Sequence, residues 1–207
     1  MSKTRTAVVA GASGFIGRRI VGRLLVRSDY HVIGLSRSPK ATPGMTWLSV
    51  DLTDADDCAS KLSGVTGEVD LYYAGRYDHP EGVPESVELN TAMLVNLVTV
   101  LGRTARLRHV HAVHGSKYYG HPFGPVPVPL HEGCPRGPVN TFYFPQEDFL
   151  RERSRAEGWS YSTTRPHTFS APDIEPDARP ALFQRLTRAD QAFAVSHRVR
   201  SSTVWAQ

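Results

Sequence analysis

An α/β fold built on a doubly wound parallel sheet is the expectation, and three observations carry it. Short apolar runs alternate with longer stretches of helical periodicity. The first run, TAVVAGA (6–12), passes straight into a glycine-rich turn and then into a helix pattern. The 207 residues, 40% hydrophobic and 21% charged, suit one packed core with an appendage.

TAVVAGA carries no charge, as a strand buried on both faces should not. FIGRRIVGRLL (15–25) places its apolar residues at helical spacing. HVIGLSR (31–37) and TWLSVDL (46–52) read as strands, and residues 54–62 as a short helix. VDLYYAG (69–75) is the next strand, and SVELNTAMLVNLVTVLGRT (86–104) the longest helical stretch. HVHAVHGSK (109–117) is a strand running into a loop, and residues 118–140 are rich in Pro and Gly. Residues 142–156 are helical in pattern, with Pro145 tolerable only in the first turn. WSYSTTRP (159–166) closes the series as a strand. The expected division is a nucleotide-binding domain over 1–170, then a turn-rich linker and short tail over 171–207 with room for one helix.

Composition excludes several classes. The formal charge is +4, and the basic residues are scattered with no run of five or six, so no nucleic-acid face is expected. Cys58 and Cys134 make neither a disulfide framework nor a metal-ligand spacing. No apolar stretch approaches the roughly 20 residues of a membrane span, and the N-terminus lacks a signal-peptide pattern. A cytoplasmic protein is the expectation.

GASGFIG (11–17) is G-x-x-G-x-x-G, placed between a strand and a helix, and that context gives it meaning. Gly11 permits a tight turn, Gly14 admits a pyrophosphate to the backbone, and Gly17 lets helix and sheet pack closely. The anion rests on free N–H groups at the helix start, around Phe15 and Ile16. This is a Rossmann-type dinucleotide site. An NAD site usually ends the second strand with an acid, but residues 34–38 read GLSRS. Ser36 can hydrogen-bond and Arg37 can pair with a 2′-phosphate, so NADP(H) is the expected cofactor; the alternative is a solvated Arg37. Asp51 ends the third strand and Leu52 follows, a place beside the adenine, though a turn aspartate fits equally. Gly75 ends the fourth strand, where it leaves room for the cofactor or serves as a turn residue.

TFYFPQEDFL (141–150) puts Tyr143 at the start of the last helix. A phenol at that place can hold a carbonyl oxygen as charge develops on it. Its ordinary pKa is about 10, so a nearby ammonium helps. The usual partner is a lysine four residues on, but position 147 is Glu. Lys117, in HGSKYYG, is the alternative: it follows the fifth strand, and both points lie at the carboxyl edge of the sheet. His114, His121 and His131 lie nearby in sequence and fit no metal spacing; no metal is expected.

GSKYYG, then PLHEGCPR (129–136), FYFPQEDFL (142–150) and Arg165-Pro166 resemble, in order and spacing, the progesterone 5β-reductase/iridoid synthase family of atypical extended short-chain dehydrogenases. The resemblance covers about residues 5–170. It implies that Tyr143 and Lys117 are the catalytic pair, and that the activity is NADPH-dependent 1,4-reduction of an enone or enal. It further implies that Ser13, Gly14 and Phe15 contact the pyrophosphate, that Arg37 takes the 2′-phosphate, and that Asp51 and Leu52 flank the adenine. Phe169 would lie near the nicotinamide. The sequence departs from the family pattern at Phe144, usually Tyr, at His114, usually Thr, and at Gly133, usually Asp.

Family members have a C-terminal half that covers the active site. Here that region is expected to be truncated, leaving the pocket open or completed by a second subunit, as in a homodimer. The rival expectations are a non-catalytic NADP(H)-binding or redox-sensing module and, within the enzyme class, a carbonyl reductase or nucleotide-sugar-type enzyme.

Overall fold

The computed structural model describes residues 5–39, 41–77 and 79–167. In chain order these form β1 (Arg5–Ala10), α1 (Phe15–Leu25), β2 (Tyr30–Ser36), β3 (Met45–Ser49), α2 (Ala55–Leu62), β4 (Glu68–Tyr73), α3 (Val87–Thr104) and β5 (Arg106–Val113). A 3₁₀ turn (Ser116–Tyr119), α4 (Tyr143–Glu157) and β6 (Ser160–Thr164) complete the series. The sheet has the order β3-β2-β1-β4-β5-β6, and every pairing is parallel. This is the doubly wound arrangement expected. Phe169 and the tail over 171–207 lie outside the described residues.

Two cores flank the sheet, and β1 feeds both. Val8 and Ala10 face a cluster that includes Leu62 of α2, Leu94 and Leu97 of α3, and Leu150 of α4. Ala7 and Val9 face Val21 and Leu24 of α1. The period of two along β1 thus explains its uncharged run. In α3, Asn90, Leu94, Leu97 and Leu101 form the buried stripe, and Ser86 caps the start by accepting from the Leu89 N–H (3.0 Å). Asp54 caps α2 in the same way. Gly158, at φ +75°, ends α4 in the left-handed conformation that glycine adopts most readily.

Three boundaries depart from expectation. β3 ends at Ser49, so Asp51 does not end it: the Asp51 carboxylate accepts from the Thr53 N–H (2.9 Å) and hydroxyl (2.7 Å) and turns the chain out of the ladder. β4 ends at Tyr73, and Gly75 lies two residues beyond; Ala74 still donates to Ala10 O (3.1 Å) before the chain leaves the sheet. β5 begins at Arg106, earlier than the apolar pattern suggests. Its first turn outward carries Arg106 and Arg108, both paired with Glu68 at 3.1 Å, and those charges hide the strand from a hydrophobic reading.

The order reverses at β1, which lies between β2 and β4. Ligands of open parallel sheets bind outside the carboxyl ends at such a reversal.

Candidate active site

The nucleotide end of the crevice gathers eight expected residues. Gly11, Ser13, Gly14, Ser36, Arg37, Asp51, Leu52 and Gly75 line one cleft of about 360 Å³. Gly11 has φ +71°, and a β-carbon there would stand 2.6 Å from Ala74 O. A β-carbon on Gly17 would collide with Gly11 O, so Gly17 is the close-packing glycine. Gly14 is the N-cap of α1, has no side chain to cap it, and is followed by a first turn without an acid. Its orphan N–H groups suit an anion. Phe15 and Ile16 do not line this cleft. They line a separate groove with Tyr72 and His111.

Ser13 and Ser36 share a hydroxyl–hydroxyl hydrogen bond of 2.9 Å, which ties the glycine loop to the end of β2. Asp51 is held below the usual carboxylate range by the Thr53 hydroxyl and N–H, with Arg37 adding to the effect. Arg37 therefore stands near that carboxylate, at the rim where no other acid occupies 34–38.

The other end is built on the first turn of α4. Tyr143 is its first residue, and the ring stacks on His114 with centroids 4.7 Å apart. A β-carbon on Gly115 would stand 3.1 Å from the Tyr143 hydroxyl. Gly115 has extended backbone, so its use is space for the phenol. Burial pushes the Tyr143 phenol up to about 12; Glu85 adds to this and Arg76 opposes it. The phenol is therefore a neutral donor across the physiological range. Among the described residues its hydroxyl makes no hydrogen bond.

Lys117 lies in the 3₁₀ turn, and its ammonium bonds Glu85 Oε2 at 2.8 Å. The other oxygen of Glu85 pairs with Arg76 at 2.8 Å. Lys117 makes no hydrogen bond to the phenol; the carboxylate that perturbs Tyr143 is the same one that holds Lys117. Sequence reasoning missed Glu85 and Arg76. Both lie in the polar stretch between β4 and α3, which has no periodicity to mark them.

His114 is buried, and burial pushes its imidazole down to about 3, with the Arg165 charge adding. Neither ring nitrogen makes a hydrogen bond of good geometry among the described residues; the neighbouring Gln146 amide donates to Asn90 O (2.7 Å). His121 meets His167 edge-on, and His131 accepts from the Gly133 N–H. Among the described residues no group of three His, Cys, Asp or Glu could hold a metal, and no helix is long and apolar enough to cross a membrane.

Glu147, at the position four residues past Tyr143, is the hub of a different group. It accepts from the Tyr118 hydroxyl (2.6 Å), Arg136 (3.0 Å) and Arg165 (2.6 Å), and its side chain is 8% exposed. Asp148 takes Arg136 from the other side at 2.6 Å. Phe144 packs edge-on against Tyr118. The PR, FYFPQED and RP segments thus meet in one buried network that pins the start of α4.

Comparison with known proteins places the chain in a family. Residues 7–193 match the profile of the NAD dependent epimerase/dehydratase family. A short chain dehydrogenase, gsfE, of Penicillium aethiopicum is 33% identical over 184 residues, 83% of this chain and 49% of that protein. A 3-oxo-Δ(4,5)-steroid 5-β-reductase of Arabidopsis thaliana is 31% identical over 177 residues, 78% of this chain and 45% of that protein. The chain spans about half the length of the curated relatives it matches. In fold it resembles the dTDP-glucose 4,6-dehydratase DesIV of Streptomyces venezuelae, with a TM-score of 0.63 and 22% identity over 88% of this chain and 62% of that one.

Proposed function

The chain belongs to the NAD dependent epimerase/dehydratase family, and from that premise we propose that it is an NADPH-dependent reductase of activated carbon–carbon double bonds. The observation that carries the proposal is the unbonded, neutral Tyr143 phenol at Gly115, at the carboxyl edge of the same sheet as the nucleotide cleft. The relationship to a 5-β-reductase of 3-oxo-Δ(4,5)-steroids supports an enone as the substrate class.

The cradle fits a dinucleotide. Gly14 presents the uncapped N–H groups of α1 to a pyrophosphate, and Gly11 and Gly17 leave no room for side chains. Arg37 and Ser36 take a 2′-phosphate, which selects NADPH over NADH, and Asp51 and Leu52 flank the adenine. A nicotinamide cofactor held there would supply the hydride for the β-carbon of an enone. Tyr143 donates its hydroxyl to the carbonyl oxygen, where negative charge develops as the enolate forms, and holds it there. A preorganised donor of this kind is worth about 10²–10³ in rate. Lys117 supplies positive charge at the same edge, and His114, kept neutral, fixes the ring plane of the phenol. A proton taken up from water completes the α-carbon, and the carbonyl is kept.

The engagement of Lys117 by Glu85 favours a second reading, an NADP(H)-binding module without turnover. One experiment separates the two. The protein is incubated with NADPH and a small cyclic enone, NADPH oxidation is followed, and the product is analysed. The saturated ketone is the expected product. An allylic alcohol would make the protein a carbonyl reductase, and tight NADPH binding without oxidation across a panel of enones would favour the binding module.

A further inference from the structure

Glu85 has no role in the proposed reduction, yet it joins Arg76 of the nucleotide cleft to Lys117. It lies in the segment before α3, just ahead of the cap Ser86, and is half-buried. One carboxylate oxygen takes Lys117 and the other takes Arg76, both at 2.8 Å. Arg76 lines the nucleotide cleft; Lys117 belongs to the turn that follows Gly115. Exposed ion pairs contribute only about 0–1 kcal/mol to stability, and the Arg76 side chain is 60% exposed, so stability is a weak reason for this bridge. Position is the stronger one. The carboxylate fixes a flexible ammonium that otherwise samples many rotamers, in the turn whose cap, Gly115, abuts the phenol.

We propose that Glu85 is a positioning residue, which holds the Lys117 ammonium near the Tyr143 phenol and joins that pair to the nucleotide cleft through Arg76. This rests on the reading of Tyr143 and Lys117 as the reacting pair. A cofactor that draws Arg76 toward its phosphates leaves Glu85 bonded to Lys117 alone, so cleft occupancy alters the charge around the phenol.

The groups facing Tyr143 set the sign of the test. Arg76 and Glu85 approach from the two ends of the β4–α3 connection, Lys117 belongs to the 3₁₀ turn, and His114 at the end of β5 is neutral above about pH 3. The carboxylate favours the neutral phenol and Arg76 favours the phenolate. Glu85→Gln therefore makes the phenol more acidic. Arg76→Met acts in the opposite direction.

Ionisation of Tyr143 is read by NMR of ¹³Cζ-tyrosine protein, the resonance being assigned by its loss in Tyr143→Phe. The titration is run with and without NADP⁺ and needs no turnover. The expected result is ionisation at lower pH in Glu85→Gln and at higher pH in Arg76→Met. Equal ionisation in wild type and both variants overturns the proposal, whether or not any enone is reduced. With an active enzyme, the alkaline limb of kcat/KM moves to lower pH in Glu85→Gln, because the neutral phenol is the active form. An unmoved limb with a merely lower kcat assigns Glu85 a structural role and also overturns it. Failure of the wild type to reduce enones, with the NMR shifts present, overturns the proposed reaction and leaves the role of Glu85 standing.

Discussion

Two groups, each a tyrosine, a glutamate and the cations around it, stand near the start of α4, and they are finished differently. In the first, the Tyr118 hydroxyl donates to Glu147, and Arg136 and Arg165 complete the carboxylate. The Glu147 and Arg165 side chains are 8% and 12% exposed. In the second, Glu85 is completed by Lys117 and Arg76, but the Tyr143 phenol is bonded to none of them. A closed, buried network holds backbone segments together. A group that leaves one donor unspent at the carboxyl edge of the sheet is suited to a ligand. The i+4 position from Tyr143, where a lysine is usual, belongs to the closed group.

Breaking the closed group is expected to have the largest effect on stability. Glu147→Ala strands Arg165 and Arg136 beside a buried vacancy, at a cost of about 3 kcal/mol, seen as a lower urea midpoint. A midpoint unchanged from wild type would deny the network its structural role. In the open group Lys117→Met is expected to reduce kcat for enone reduction by about 10²-fold while the urea midpoint stays close to wild type. Farther along the crevice, Arg37→Ser is expected to weaken NADPH binding by about tenfold and to leave NADH binding unchanged, as calorimetry would show.

A further expected effect appears only in acid. His114 titrates at about 3 when folded against an ordinary 6.5, so the unfolded chain takes up a proton that the folded chain refuses. Its contribution is full above about pH 6.5 and declines as pH falls toward 3, by up to about 1.4 kcal/mol per pH unit. His111, pushed down to about 4 by burial, acts in the same direction. His114→Thr should flatten the fall of melting temperature between pH 6.5 and 4 without abolishing it. A fall as steep as that of wild type would show that His114 is not buried and neutral in solution.

Much of the fold was legible because its signals are local. The uncharged run within β1, the glycine turn and the α3 stripe each announce themselves within a dozen residues. Strand ends were less so. Asp51 and Gly75 continue an apolar run in sequence, and only the Thr53 bonds and the turn after Ala74 show that the ladder has stopped. At the proposed site, Tyr143 and Lys117 stand in motifs that the sequence displays. Glu85 and Arg76 were not legible, because they come from an aperiodic stretch and act by a charge contact across the fold. The meeting of Arg136 and Arg165 on Glu147 was illegible for the same reason, although each lies in a motif that the sequence displays.

The two phenols allow a direct measurement. Steady-state reduction of a small enone by NADPH is compared in wild type, Tyr143→Phe and Tyr118→Phe, with NADPH affinity and the urea midpoint measured for each. Tyr143→Phe is expected to lose about 10²–10³-fold in kcat with affinity and midpoint preserved. Tyr118→Phe is expected to lower the midpoint, by about 1–3 kcal/mol, and to leave kcat within a few-fold of wild type. Wild-type turnover by Tyr143→Phe would contradict the assignment of the open group as the site of chemistry.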